Sequence, residues 1–269
     1  METKDKDPAH TSLLKANQDH FDEQATKWDD DPEYVRVSRE SYATILHHMG
    51  QFLLSSSDRH HHHSNILNFG CGTGLLEAQL RSHVNSITGI DISAGMIERM
   101  NTKIEQEGWT NVTALKIDIL DEAQTSSSQQ QQVLLPIEGF DMIISCYTFH
   151  HLHDVTAIGK ALLKYLKPGG YFCIIDFAAA AETNDVQQHH HHDHRHQEQD
   201  QQQEETLGDK LSETAKASIG SHDGFSKSFL IDYYQNVLDL ENVNVEDATP
   251  LSCDGSEFPT LIAYGRRKK

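Results

Sequence analysis

The feature that most constrains this chain is the order in which its apolar periods change. From residue 65 onward, short apolar runs bounded by Gly or Asp alternate with segments whose apolar residues recur every three or four positions. Asn65 to Phe69 is the first such run, and LLEAQL begins a helix after the glycine turn that follows it. SITGIDI at 86 to 92 is the second strand. Ser93 then caps a helix carrying Met96, Ile97, Met100 and Ile104, which ends near Gly108. VTALKIDIL forms a third strand, and FDMIISCY at 140 to 147 a fourth, apolar enough to be covered on both faces. Asp154 caps the next helix, with Ile158, Leu162, Tyr165 and Leu166 on one face; KPGG stops it, and YFCIIDF is the fifth strand. A helix from Phe229 to Leu238 and strands near 242 to 247 and 260 to 264 close the series. Such an order dictates an α/β fold, a doubly wound sheet with helices on both faces.

Three biased tracts interrupt this pattern: SSSDRHHHHS at 55–64, TSSSQQQQ at 125–132, and a Gln- and His-rich stretch within 183–206. They cannot supply a core, and the reading is of loop insertions in a sheet domain at 65–269, preceded by a helical segment at 1–54. Ten of the 19 histidines lie in these tracts, which imply no fixed ligand geometry, so no metal site is expected. A formal charge of −19 opposes nucleic acid as a partner, since its binders present clustered Lys and Arg. Four cysteines without CxxC spacing fit a reducing, cytoplasmic setting, and no signal peptide or membrane span is expected.

Ligands of such sheets sit beyond the carboxyl ends of the strands. There the chain carries Gly70, Cys71, Gly72, Thr73 and Gly74, a strand-to-helix turn whose backbone can approach a ligand closely. A dinucleotide fingerprint would place its third glycine at 75, where this chain has Leu75, and a nicotinamide cofactor is disfavoured. Asp91 at the end of the second strand can accept from both hydroxyls of a ribose, and Asp118 at the end of the third from an exocyclic amine. Together they describe a nucleoside pocket.

In ILNFGCGTG, GIDIS, KIDIL, FDMIISCYTFHHLHD and LLKYLKPGGYFCIIDF, taken in that order over roughly 65 to 180, the sequence resembles the class I S-adenosylmethionine-dependent methyltransferases. The resemblance implies a Rossmann-like seven-stranded sheet with its last strand antiparallel. It implies that Gly70, Gly72 and Gly74 hold the methionine end of S-adenosylmethionine, that Asp91 holds the ribose, and that Ile92 and Met96 flank the adenine. Asp118 and Ile119 would lie at the adenine edge, with Cys146 beneath the cofactor. The segment before the first strand, with Phe21, Ala25 and Trp28 at helical spacing and a second helix after Pro32, resembles the N-terminal helical cap of small-molecule methyltransferases related to the ubiquinone and menaquinone C-methyltransferases.

One position departs from that pattern. The family has Asp or Glu at 68, and Asn68 keeps an acceptor oxygen but loses the charge, which predicts weakened cofactor binding and a several-fold gain for Asn68→Asp. A sulfonium methyl needs an aligned nucleophile, exclusion of water, and a base only where the nucleophile carries a proton. Tyr147, His150, His151 and His153 are the candidate bases. Ser145, Cys146, Tyr147 and Thr148 stand where amine and amide methyltransferases carry Asp or Asn followed by Pro-Pro-Tyr, which disfavours amino-purine acceptors. The expected acceptor is a small molecule; a protein side chain and an inactive cofactor-binding subunit are the alternatives. Sequence leaves the oligomeric state open.

Overall fold

A computed structural model describes residues 8–54, 64–121, 135–179, 224–253 and 256–269. Apart from Ser64, the low-complexity tracts therefore lie outside the described residues, His60 to His63 and His189 to His196 among them. Two helices come first, α1 (Pro8–Gln24) and α2 (Pro32–Leu54), joined by a single 3-10 turn at Trp28–Asp30. Then β1 (Asn65–Phe69), α3 (Leu75–Leu80), β2 (Ser86–Asp91), α4 (Ala94–Glu107) and β3 (Val112–Lys116) follow in alternation. β4 (Phe140–Cys146), α5 (Val155–Leu163) and β5 (Leu166–Phe177) continue it, and α6 (Lys227–Asp232), β6 (Leu240–Cys253) and β7 (Ser256–Arg267) end the chain.

The strands form one sheet in the order β3-β2-β1-β4-β5-β7-β6. β1 to β5 run parallel, and β7 is antiparallel to both β5 and β6, as the resemblance implied. Period-2 alternation divides the central strands between two cores. Leu67, Phe69, Ile143, Phe172 and Ile174 face one side, where α5 and the aromatic pair Tyr233 and Tyr234 pack. Ile66, Met142, Ile144, Cys173 and Ile175 face the other, against Ile45 and Met49 of α2, Leu76 and Leu80 of α3, and Ile97 and Met100 of α4. α2 is thus a full layer of the sheet. α1 and the 3-10 turn reach further, over the carboxyl edge.

Local signals hold where side chains act on their own backbone. Ser93, Asp154 and Ser226 each cap a helix by accepting from the N–H three residues on, and Gly108 ends α4 in the left-handed region at φ 64°. Tertiary pairing overrides propensity elsewhere. β5 starts at Leu166, before KPGG, because Leu166 pairs with Phe140, and the glycines are absorbed in a register shift between Phe140 and Met142. The long β6–β7 hairpin extends both expected strands. The last helix is short and relaxes into a π turn at Tyr233–Val237, which turns both tyrosines inward. α1 stops at Gln24, so Trp28 lies on its own turn, stacked on Tyr34 at 3.8 Å and edge-on to Phe21 at 5.9 Å.

Candidate active site

The turn after β1 is built from backbone that only glycine adopts without strain. Gly70, Gly72 and Gly74 have φ of 72°, 55° and 84°. A Cβ at Gly70 would lie 2.2 Å from Thr148 Oγ1, and one at Gly74 2.8 Å from Met100 Cγ. At Gly72 the nearest atom to such a Cβ is Met96 Sδ at 4.0 Å, so this residue faces open space. Asp91 ties the turn to α4, because its Oδ2 accepts from Gly72 N–H and its Oδ1 from Ser93 N–H, both at 2.9 Å. Burial pushes the Asp91 carboxyl above its ordinary range against the pull of these hydrogen bonds. Each oxygen retains a lone pair, which a ribose hydroxyl can use.

Met96, whose Sδ comes nearest to Gly72, is buried, Ile92 is partly exposed, and Ile119 is buried in the core on the α5 side of the sheet. β3 ends at Lys116, two residues before Asp118, so that Asp118 does not close the strand as expected. Its carboxylate instead accepts from Leu120 N–H at 3.0 Å and shapes the loop behind β3. Cys71 is buried and Cys146 partly so, and burial raises both thiols well above the usual range. Thr73 is buried with its hydroxyl donated to Asp29 Oδ1 at 2.6 Å.

Asn68 is buried at the end of β1, where its Nδ2 donates to Glu77 Oε1 at 2.7 Å. Glu77, on α3 between the inward Leu76 and Leu80, was not picked out by sequence reasoning. A carboxylate on an apolar helix face was the available signal.

Beyond β4 the chain turns at Tyr147, a non-glycine residue with φ 51°. Tyr147 is half-buried, and burial, followed by the neighbouring Cys146, holds its phenol above its ordinary range, so it is a poor proton acceptor at neutral pH. His150 is 5% exposed, and its Nδ1 lies 2.7 Å from Asp176 Oδ1 at the end of β5. Asp176 Oδ2 also accepts from His150 N–H at 3.3 Å, and Oδ1 from Phe177 N–H at 2.8 Å. With Asp176 accepting the Nδ1 proton, Nε2 is the basic nitrogen. Asp176 is not among the residues that the sequence singles out; a charge at the end of a doubly covered strand is the signal that marks it. His151 lies beside His150, the rings tilted with centroids 4.0 Å apart, and meets the Phe21 ring edge-on at 5.0 Å, whereas His153 is exposed.

The N-terminal segment closes this edge. Asp22 accepts from Ser93 Oγ at 2.5 Å and Gly95 N–H at 2.9 Å, at the start of α4. Asp29 accepts from Arg99 Nε at 3.1 Å and Lys103 Nζ at 3.0 Å besides Thr73. Asn17 Nδ2 donates to the His151 carbonyl at 3.0 Å.

Sheet order and glycine turn together define a Rossmann-like transferase fold that binds a nucleoside-bearing cofactor at its carboxyl edge. A family profile described as a methyltransferase domain matches residues 60–238, and the chain belongs to that family, the class I S-adenosylmethionine-dependent methyltransferases. An uncharacterised methyltransferase of Schizosaccharomyces pombe is 24% identical over 87% of this chain and 82% of its own length. The ubiquinone biosynthesis O-methyltransferase of Acinetobacter baylyi is 25% identical over 56% of this chain and 57% of its own. Among solved structures, an S-adenosylmethionine-dependent methyltransferase from Aquifex aeolicus superposes with a TM-score of 0.53 at 17% identity, covering 91% of this chain and 97% of its own. The cofactor is S-adenosylmethionine. The residues present fit that group: open space above Gly72, the Asp91 carboxylate at the end of β2 beside the glycine turn, and two buried acceptor atoms without donors, Asn68 Oδ1 and Glu77 Oε2.

Proposed function

We propose that this enzyme methylates a small molecule, with the cofactor held along Gly70 to Gly74, Asp91, Ile92, Met96, Ile119 and Cys146, and with His150 as the base. The observation that carries the proposal is the His150 to Asp176 pair, which joins the ends of β4 and β5 at 2.7 Å. Bound S-adenosylmethionine supplies an electrophilic methyl on a sulfonium, which needs no further activation. Asp176 fixes the His150 ring and its tautomer, so that Nε2 takes the proton of an acceptor hydroxyl, thiol or amine. Tyr147 and Phe177, 5.4 Å apart, wall this region and keep water from the acceptor.

Enclosure supports a small acceptor over a polypeptide. Phe21 of α1 lies against His151, and Asp22, Asp29 and Asn17 fasten the cap to α4, to the glycine turn and to the loop after β4. Relatives support this, since one is a ubiquinone biosynthesis O-methyltransferase and another a 27-O-demethylrifamycin SV methyltransferase. Asp118 sits at the adenine edge through its loop position. No helix among the described residues is long and apolar enough to cross a membrane, and three free thiols, Cys71, Cys146 and Cys173, favour a reducing, cytoplasmic setting.

Incubation with methyl-labelled S-adenosylmethionine and a metabolite extract, followed by separation of small molecules from protein, tests the proposal. Label should appear in the small-molecule fraction and fall sharply with His150→Gln. Label confined to protein would point to a side-chain acceptor, and no label at all to a cofactor-binding subunit.

A further inference from the structure

The chain lacks a carboxylate at 68, but the fold brings one to that residue from a different element. Glu77 is 1% exposed and Asn68 4%. One hydrogen bond joins them, from Asn68 Nδ2 to Glu77 Oε1 at 2.7 Å, and the two remaining oxygens, Asn68 Oδ1 and Glu77 Oε2, are buried without a partner. Buried acceptors are costly unless a donor reaches them, so an orphaned pair marks where one arrives from outside the chain. Two adjacent acceptors, one of them ionisable, complement a compact cation carrying several N–H bonds. Both residues lie at the base of the turn that follows β1. We infer that Glu77, partnered by Asn68, anchors the α-ammonium of S-adenosylmethionine, directly or through a buried water, and so takes over the duty that the family gives to an acidic residue at 68. This inference rests on the placement of the cofactor at the glycine turn.

The surroundings favour a cation. The groups that act on Glu77 are Asp91 on β2, Lys103 on α4, Cys71 in the turn and Cys146 at the end of β4. Lys103 is committed to Asp29 at 3.0 Å. α2, which packs on α3, presents Ser38 to Gln79. Burial raises the Glu77 carboxyl to about 7, so near neutral pH an appreciable fraction is protonated. An arriving ammonium favours the carboxylate and expels that proton. Cofactor binding is therefore coupled to proton release through this one side chain.

Calorimetric titration of the full chain near neutral pH, in buffers of different ionisation heat, tests the inference with two ligands. S-adenosylhomocysteine carries the ammonium, and methylthioadenosine lacks the amino-acid end. For the wild type, the first should release a fraction of a proton and the second none. Glu77→Gln should weaken S-adenosylhomocysteine roughly tenfold, leave methylthioadenosine within about twofold, and abolish the proton release. The double variant Asn68→Asp/Glu77→Gln, which moves the carboxylate to 68, should restore the lost affinity. Thermal melts of each variant verify folding. Unchanged S-adenosylhomocysteine affinity in Glu77→Gln, or an equal loss for both ligands, would overturn the anchor. Failure of the wild type to bind either ligand would overturn the cofactor placement, and the anchor with it.

Discussion

Thr73 Oγ1 donates to Asp29 Oδ1 across 2.6 Å, so the glycine turn is latched to a segment 44 residues earlier in the chain. The same carboxylate holds Lys103 and Arg99 of α4, and Asp22, back on α1, accepts from Ser93 and Gly95 at the start of that helix. Two aspartates thus fasten the N-terminal segment to α4 and to the glycine turn.

Acid should loosen this latch before it unfolds the sheet. For both Asp22 and Asp29, burial pushes the carboxyl up, but hydrogen bonds outweigh it, from Ser93 and Gly95 in one case and from Thr73 and Lys103 in the other, and hold each below its ordinary range. A depressed acid is stabilising above its unfolded value, and that contribution is lost as pH falls through the folded one. Hydrogen exchange over 11–30 should therefore accelerate below about pH 4 while β1 and β4 stay protected. Asp29→Asn should produce the same loosening at neutral pH. Protection of 11–30 that follows the sheet in both cases would count against a separable cap.

Glu77 carries the opposite sign. Its carboxyl is raised to about 7 by burial, so the folded state holds the proton more tightly than the unfolded one. The cost is absent below the unfolded value, grows as pH rises towards 7, and is complete above it, at about 3 kcal/mol. Glu77→Gln should therefore raise the Tm of the ligand-free protein by roughly 5 to 10 °C in alkaline buffer and by much less near pH 5. Asn68→Asp alone should not tighten the cofactor, because a second carboxylate beside Glu77 would share one proton with it. This reverses the gain expected from the sequence. A pH-independent Tm difference for Glu77→Gln would show that Glu77 is not a buried carboxylate.

His150→Gln should lower the single-turnover rate by roughly 10²- to 10⁴-fold on an acceptor that must lose a proton, and Asp176→Asn by less. Neither should alter the dissociation constant of S-adenosylhomocysteine by more than about twofold, since neither side chain belongs to the cofactor cradle. Equal losses in rate and in cofactor affinity would assign the pair to structure.

Gly159 offers a check on the aromatic core. A Cβ there would stand 2.0 Å from the Tyr233 hydroxyl, which donates to Val155 O at 2.7 Å. Helix propensity alone would make Gly159→Ala stabilising by about 1 kcal/mol. Overpacking should win, giving a net loss of roughly 1 to 3 kcal/mol in denaturant melts. A gain in stability would mean that Tyr233 is not fixed over α5.

Strand order, caps and the glycine turn are legible because each is a local rule: a near-continuous apolar run in FDMIISC, Ser93 before its helix, three glycines at left-handed φ. β5 was misjudged at its start because pairing with Phe140, not the glycines of KPGG, decides where it begins. The sequence puts Asp118 at a strand end, but β3 runs only as far as its pairing with β2, which stops at Lys116. Of the candidate site, Asn68 drew attention as a departure, but its meaning depended on Glu77, and no spacing rule connects them. Asp176 and Asp29 were missed in like manner, as their partners lie 26 residues away at His150 and 44 residues away at Thr73.

The claim on which the rest depends is that S-adenosylmethionine lies against Gly72. Calorimetric titration of S-adenosylhomocysteine into the wild type and into Gly72→Ala tests it most directly, because a methyl at 72 projects into space that the fold leaves open. The variant should fold, with a Tm lowered by a few degrees for the φ of 55°, and should bind at least roughly tenfold more weakly than a wild type that binds one equivalent. Equal dissociation constants for the two proteins would place the cofactor elsewhere and contradict the account.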